Sequence, residues 1–301
     1  MSLSSEVRQM ARAWRWTRRP LPPKSAEPHH TFPEPREFPT EWARSKPARV
    51  AREAILRGGL TPLVNRETAI EIDGLDIFDD LDGPVIIVAN HTSHLDTALL
   101  LTTLPTKWQR RVTVGAAADY FFDAWWRAIG SALVFATFPI ERHGQGLSDT
   151  PAKLLEDGWS IVMFPEGTRS PDGWTRRFRP GASALAKAHG VPIVPVGISG
   201  SYAAMPRGRN WPKPGRPPIQ VRYGRPIRPL EDENTLALNG RVADAIGALL
   251  DEAKTDWYTA QRRAAAGETP PSSGPAVASW RRVWESSAGP ELTADRPKAW
   301  R

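Results

Sequence analysis

The run Asn90-His91-Thr92-Ser93-His94-Leu95-Asp96 places an imidazole and a carboxylate five residues apart, between the apolar stretches Val85–Ala89 and Leu95–Thr103. On a continuous helix two such residues would point about 140° apart, so they meet only if the chain turns between them. The polar residues Asn90–Ser93 suit such a turn. In that geometry the Asp96 carboxylate accepts from one ring nitrogen of His91 and fixes the tautomer. The other nitrogen is left to take a proton from a hydroxyl, which is general-base chemistry without a protein nucleophile. The same residues also read as a capping box, Ser93-x-x-Asp96, with an acid at a helix start. The two readings are compatible, because the cap would position Asp96. Only six histidines occur, His91 and His94 are three apart, and nothing after Asp96 completes a ligand set, so the pattern does not call for a metal. His94 reads as structural.

Two further clusters follow apolar stretches. Phe138-Pro139-Ile140-Glu141-Arg142 delivers Arg142 at a strand end, where its planar fork suits phosphate oxygens; taken alone, a solvated arginine is the commoner reading. Phe164-Pro165-Glu166-Gly167-Thr168-Arg169-Ser170 has a proline to stiffen the exit and a glycine that lets backbone amides turn toward an oxyanion. Glu166 is placed to accept from a ligand hydroxyl and Arg169 to engage phosphate, although a plain turn is the simpler reading. Downstream lie Arg176, Arg177 and Arg179, then Val191-Pro192-Ile193-Val194-Pro195-Val196, whose prolines suggest a buried edge or bent wall with a lining role.

The elements that must carry these clusters alternate. Strands are predicted at 68–72, 85–89, 111–116, 133–140, 160–164, 193–198 and 219–223. Helices are predicted at 95–103, 123–129, 151–156, 182–188 and 235–264, with Gly158 and Gly190 as helix stops. The pattern predicts an α/β fold, a mixed and mostly parallel sheet flanked by helices, in a single domain with an N-terminal helical element. That element, from Pro47 to about Leu63, carries Arg44, Lys46, Arg49, Arg52 and Arg57 around small apolar residues and reads either as a basic interfacial helix or as a solvated surface helix. Residues 1–40 form a basic, proline-rich N-terminal tail, 41–265 the domain, and 266–301 an irregular C-terminal tail. The first tail reads as disordered or as a membrane-surface arm.

The chain has 301 residues, 40 Lys and Arg against 33 Asp and Glu, a formal charge of +7 and no cysteine. The missing cysteine excludes disulfides, thiol nucleophiles and Cys-held metals. The charge favours nucleic acid, an anionic membrane or phosphorylated ligands. The most apolar window, Tyr120–Phe138, contains Asp123 and Arg127, which disfavours a membrane span. Its Phe121, Phe122, Trp125, Trp126, Ile129 and Leu133 suit core packing, or an acyl-chain groove or membrane contact. No secretory leader is apparent, which predicts a cytoplasmic protein.

Taken in order, Asn90–Asp96, Phe138–Arg142, Phe164–Ser170 and Val191–Val196 resemble the motifs of the glycerolipid acyltransferase family that includes the 1-acylglycerol-3-phosphate (lysophosphatidic acid) acyltransferases. The resemblance covers roughly residues 71–228. It implies a glycerolipid-acyltransferase-type domain in which His91 deprotonates an acceptor hydroxyl that attacks an acyl thioester, while Asp96 orients the ring. Arg142, Glu166, Gly167, Thr168 and Arg169 would hold the phosphate end of the acceptor. It also implies no cofactor beyond the donor substrate, acyl-CoA or acyl carrier protein, a lysophospholipid acceptor, and peripheral contact with the anionic inner face of the plasma membrane, in phospholipid biosynthesis. Two departures stand out: Gly115-Ala116-Ala117-Ala118-Asp119-Tyr120 lacks a cation where many members have lysine, and Phe178-Arg179-Pro180-Gly181 replaces F-K-x-G. The competing readings are the same chemistry on another phosphate-bearing lipid or glycolipid, a basic nucleic-acid-binding protein with no recognised module, and a metal hydrolase using His91, His94 and Asp96.

Overall fold

The computed structural model describes residues 40–117, 125–140 and 150–274, the side chains of 117, 125–128 and 139 apart. Both predicted tails up to residue 39 and from 275, and also Phe121, Phe122 and Arg142, lie outside the described residues.

After a short 3-10 turn (Glu41–Arg44), helix α1 spans Lys46–Ile55, capped by Ser45 Oγ on the Ala48 amide at 3.4 Å, with Pro47 in its first turn. A wide turn at Leu56–Leu60 leads into α2 (Thr61–Glu67). There follow β1 (Ala69–Asp73), β2 (Ile86–Ala89), α3 (Leu95–Thr103), α4 (Thr106–Gln109), β3 (Val112–Ala117), α5 (Trp125–Phe135), β4 (Thr137–Ile140) and α6 (Thr150–Glu156). The chain continues through β5 (Ser160–Met163), α7 (Gly181–His189), β6 (Ile193–Ser199), α8 (Ser201–Ala204), β7 (Pro218–Tyr223), α9 (Thr235–Glu252) and α10 (Trp257–Ala266).

The strands form one sheet in the order β1-β7-β6-β2-β5-β3-β4, in which β6 and β7 are antiparallel and the other pairs parallel. The mixed, mostly parallel sheet flanked by helices is thus the predicted fold. Successive side chains of a strand face opposite ways. In β2 and the residue before it this sends Val85, Ile87 and Ala89 into a core layer with Leu99, Leu100 and Leu101 of α3. Ile86 and Val88 enter the other layer with Leu185 of α7 and Leu238, Val242 and Ile246 of α9. Both faces are covered, which is why the stretch is apolar without alternation.

Three predicted elements differ. The stretch 133–140 is not one strand: α5 continues to Phe135, Ala136 takes a left-handed φ of 51°, and only Thr137–Ile140 is extended. An all-apolar run gives no period by which helix and strand can be told apart. The predicted helix 235–264 is two helices, because Asp256 Oδ1 accepts from the Thr259 amide at 2.9 Å and starts α10 afresh. Finally, Val191–Val196 is neither an edge nor a ligand lining. Its strand β6 lies between β7 and β2, and Val191, Ile193, Val194 and Val196 are all core residues. Pro195 is tolerated because its carbonyl, and hence its missing N–H, faces the β7 side just beyond the end of that strand, where the Gly224 amide donates to Pro195 O at 2.8 Å.

Arg52 ties the N-terminal helices to the domain. It is 3% exposed, and its guanidinium donates to the carbonyls of Leu133 at 2.7 Å, Ala132 at 3.2 Å and Ala43. Two of these are carbonyls of the last turn of α5, so the cation caps a helix C-terminus from another element. Burial, with Arg44 and Arg49 nearby, lowers its pKa to about 10. Replacing Arg52 with Leu removes the donors while keeping bulk, and is expected to lower stability by about 2–4 kcal/mol. A urea midpoint unchanged from that of the parent chain would contradict this role.

Candidate active site

Asp96, in the first turn of α3, is fully buried and uses one oxygen for three donors. Its Oδ2 lies 3.0 Å from His91 Nδ1 and accepts the amides of Thr92 at 2.7 Å and Ser93 at 2.8 Å. The chain therefore turns around the carboxylate, as the spacing requires if the pair is to meet. With Nδ1 committed to Asp96, Nε2 is the ring nitrogen left for a substrate. The ring is stacked on Phe164 with centroids 4.1 Å apart, and its side chain is 16% exposed. The capping box is half realised: the acid reaches back to the Ser93 amide, but Ser93 Oγ donates to Met205 O at 2.7 Å and accepts from Leu95 N at 3.2 Å.

Residues on either side fix this turn to the sheet. Asn90 continues the ladder beyond β2 with its side chain, donating to Ile198 O at 2.9 Å and accepting from Ile198 N at 2.8 Å. Thr92 Oγ1 meets Ser201 Oγ at 2.9 Å. Sequence reasoning missed Asn90, Phe164, Ser201 and Met205. A polar amide directly after a buried strand was the available signal for Asn90; the others become neighbours only when β5 and β6 flank β2.

The second predicted cluster lies against the first. Glu166 Oε1 accepts from the His91 amide at 2.8 Å and Oε2 from the Arg176 amide at 2.9 Å, while the Ser170 amide donates to His91 O at 2.8 Å. Glu166 is 3% exposed, and burial pushes its pKa up to about 7 against the pull of those two amides. Its oxygens brace two backbone segments, a role the sequence did not suggest. Gly167 adopts φ 71°, a conformation that disfavours any side chain, and a Cβ there would come within 3.1 Å of the Arg179 guanidinium, which would have to shift. Thr168 and Arg169 are half-buried on the same turn. Arg169 is close enough to help depress His94, whose pKa falls to about 4 chiefly through burial. A neutral imidazole there agrees with the structural role read for His94. Among the described residues, no group of three His, Asp or Glu side chains is placed to hold a metal ion.

Residues 65–199 match the family described as Acyltransferase, a span that contains His91, Asp96 and the whole Phe164–Ser170 turn. The match takes in 135 of the chain's 301 residues. Over 143 residues it is 32% identical to the chloroplastic 1-acyl-sn-glycerol-3-phosphate acyltransferase BAT2 of Brassica napus, covering 46% of this chain and 39% of that protein. A probable 1-acyl-sn-glycerol-3-phosphate acyltransferase of Mycoplasma genitalium is 29% identical over 184 residues, 54% of this chain and 65% of that one. The chain thus spans less than two thirds of the length of either relative. In fold it resembles the crystal structure of the 1-acyl-sn-glycerophosphate acyltransferase PlsC from Thermotoga maritima, with a TM-score of 0.54 and 22% identity over 72% of this chain and 88% of that one.

The brace made by Glu166 can be tested directly. A glutamine offers one acceptor and one NH2, so Glu166→Gln leaves one backbone amide facing a donor and should cost about 1–3 kcal/mol at acidic pH. The raised value of Glu166 means that its stabilising contribution is complete below the ordinary 4.5 and is lost as the pH rises through about 7. Urea denaturation from pH 4 to 8 should show that decline in the parent chain and a flatter profile in the variant; equal slopes would contradict it.

Proposed function

We propose that the chain transfers a fatty acyl group from a thioester, acyl-CoA or acyl carrier protein, to the hydroxyl of a lysophospholipid such as 1-acylglycerol 3-phosphate. The observation that carries this reading is the His91–Asp96 contact at 3.0 Å, with the carboxylate fully buried and the ring braced beside the Glu166–Arg169 turn. His91 Nε2 takes the hydroxyl proton as the oxygen attacks the thioester carbonyl, and Asp96 stabilises the imidazolium that forms. Collapse of the tetrahedral intermediate breaks the C–S bond, and the imidazolium returns the proton to the departing thiolate. Arg169, with Arg142, supplies cations for the acceptor phosphate, and Gly167 with Thr168 shapes the turn that presents them. The same chemistry on another phosphate-bearing lipid or glycolipid is the nearest alternative. Replacing His91 with Ala should lower acyl transfer at least about 10³-fold without unfolding the chain, and Asp96→Asn about 10²–10⁴-fold. Thioester consumption with 1-acylglycerol 3-phosphate is the measurement; turnover that survives His91→Ala would remove the base.

The acceptor is a lipid, so the reading includes peripheral contact with the anionic inner face of the plasma membrane in the cytoplasm. Val50 is 68% exposed on α1, with Leu63 of α2 and Trp42 also exposed, and Lys46, Arg57 and Arg66 lie on the same two helices and the turn between them. Exposed apolar side chains and cations on the same elements suit a headgroup region. No described helix is long and apolar enough to cross a membrane. Sedimentation with phosphatidylglycerol-containing vesicles should fall about fivefold or more for Val50→Asp, an estimate from one buried apolar side chain and one added like charge. Equal binding by variant and parent chain would refute the surface.

A further inference from the structure

Beside the turn that braces His91 lies a pocket of about 430 Å³, walled by Glu166, Arg176, Arg177, Phe178, Arg179 and Asn239, with Leu236 at its rim. It shares Glu166 with the Phe164–Ser170 cluster and is otherwise walled by residues outside the two assigned clusters. Its walls come from the segment between β5 and α7 and from the first turns of α9. Arg176, Arg177 and Arg179 are exposed, and the one acid in the wall, Glu166, is buried with both oxygens on backbone amides. The pocket therefore presents net positive charge. Its opposite wall is built and not loose: Asn239 Nδ2 donates to Phe178 O at 3.2 Å, and Asn239 Oδ1 accepts from Ser183 Oγ at 3.4 Å. Arg179 is held over Gly167, so this pocket and the Glu166–Arg169 turn share a side chain.

The volume is several times what one phosphate needs and falls in the range of organic-ligand sites. Three guanidinium groups, with Phe178, Pro180 and the 67% exposed Leu236 also lining the pocket, suit an anion joined to a less polar body. Glu166 is one hydrogen bond from the His91 backbone, so a ligand here is within reach of the reacting groups.

We propose that Arg176, Arg177 and Arg179, with Asn239, form a second anion subsite that binds a phosphate ester carried by one of the two substrates. The subsite rests on the acyl-transfer reading for its purpose, though not for its chemistry. Two substrates could supply the phosphate: the glycerol phosphate end of the acceptor, or the phosphorylated nucleotide of a CoA donor.

The test is calorimetric binding of glycerol 3-phosphate and, separately, of acyl-free CoA to the full chain and to Arg177→Glu, Arg179→Glu and Arg177→Lys. Circular dichroism melts confirm that each variant is folded. Arg177 serves as the variant remote from Gly167, in case Arg179→Glu disturbs the turn. Charge reversal should weaken one probe about tenfold or more, as expected for losing a charge-assisted pair, and Arg177→Lys should restore part of it. Weakening confined to glycerol 3-phosphate assigns the acceptor, and weakening confined to CoA assigns the donor. Affinities within twofold of the parent chain for both probes, or no measurable binding of either to the parent chain, overturn the subsite. Acyl transfer assayed in parallel keeps the two readings apart: a chain that binds a probe through Arg177 but transfers no acyl group refutes the reaction and leaves the subsite standing.

Discussion

A carboxylate removed from water must find donors, because an unpaired buried charge costs more than the fold can supply. Asp96 meets that demand by drawing two consecutive amides and an imidazole onto Oδ2. The turn from His91 to Ser93 is thus the shape the backbone takes to satisfy one charge. The orientation of the His91 ring follows from it, since Nδ1 cannot leave without stripping the carboxylate of a partner. Among the described residues Asp96 Oδ1 has no hydrogen-bond partner, so the carboxylate is held through one oxygen. The amides of Thr92 and Ser93 are consumed in this way and are not donors for a substrate oxyanion.

The sheet brings the other half of the site to this turn. Strands β2 and β5 are parallel neighbours in register Ile86↔Ile161 to Val88↔Met163, so both chains leave the sheet at the same edge. The crevice outside the carboxyl ends of parallel strands is where open α/β sheets place their ligands. Here that rule puts Phe164 against the His91 ring and Glu166 beneath its amide. Strand β6, parallel to β2 on its other side, ends at Ser199, and the residues after it close the third side through Ser201 and Met205. Each of the three strands contributes a turn, and hydrogen bonds between the turns make a single unit of them.

Charge is distributed with the same economy of function. Cations buried in the fold are matched to carbonyls or acids, as Arg52 is to the end of α5 and Arg222 to Glu252 at 2.7 Å and Asp73 at 2.9 Å. The exposed arginines of the 176–179 segment line the pocket beside Glu166. Solvated arginines surrounding a concave surface raise the local concentration of anions there.

Much of the fold was legible because parallel strands covered on both faces must be apolar without interruption, and the breaks between such runs mark the turns. Six of the seven predicted strands and the pairing of His91 with Asp96 follow from local order along the chain. The end of α5 did not, since a run such as Ala132-Leu133-Val134-Phe135 is equally apolar as helix or strand. The role of Glu166 was also hidden: its donors are 75 residues before it and 10 after it, and only the pairing of β2 with β5 makes the first of them a neighbour. Composition and spacing decided which residue types were available for chemistry. Long-range strand pairing decided which of them touch, because hydrogen-bond partners set by sheet order carry no signature in the residues between them.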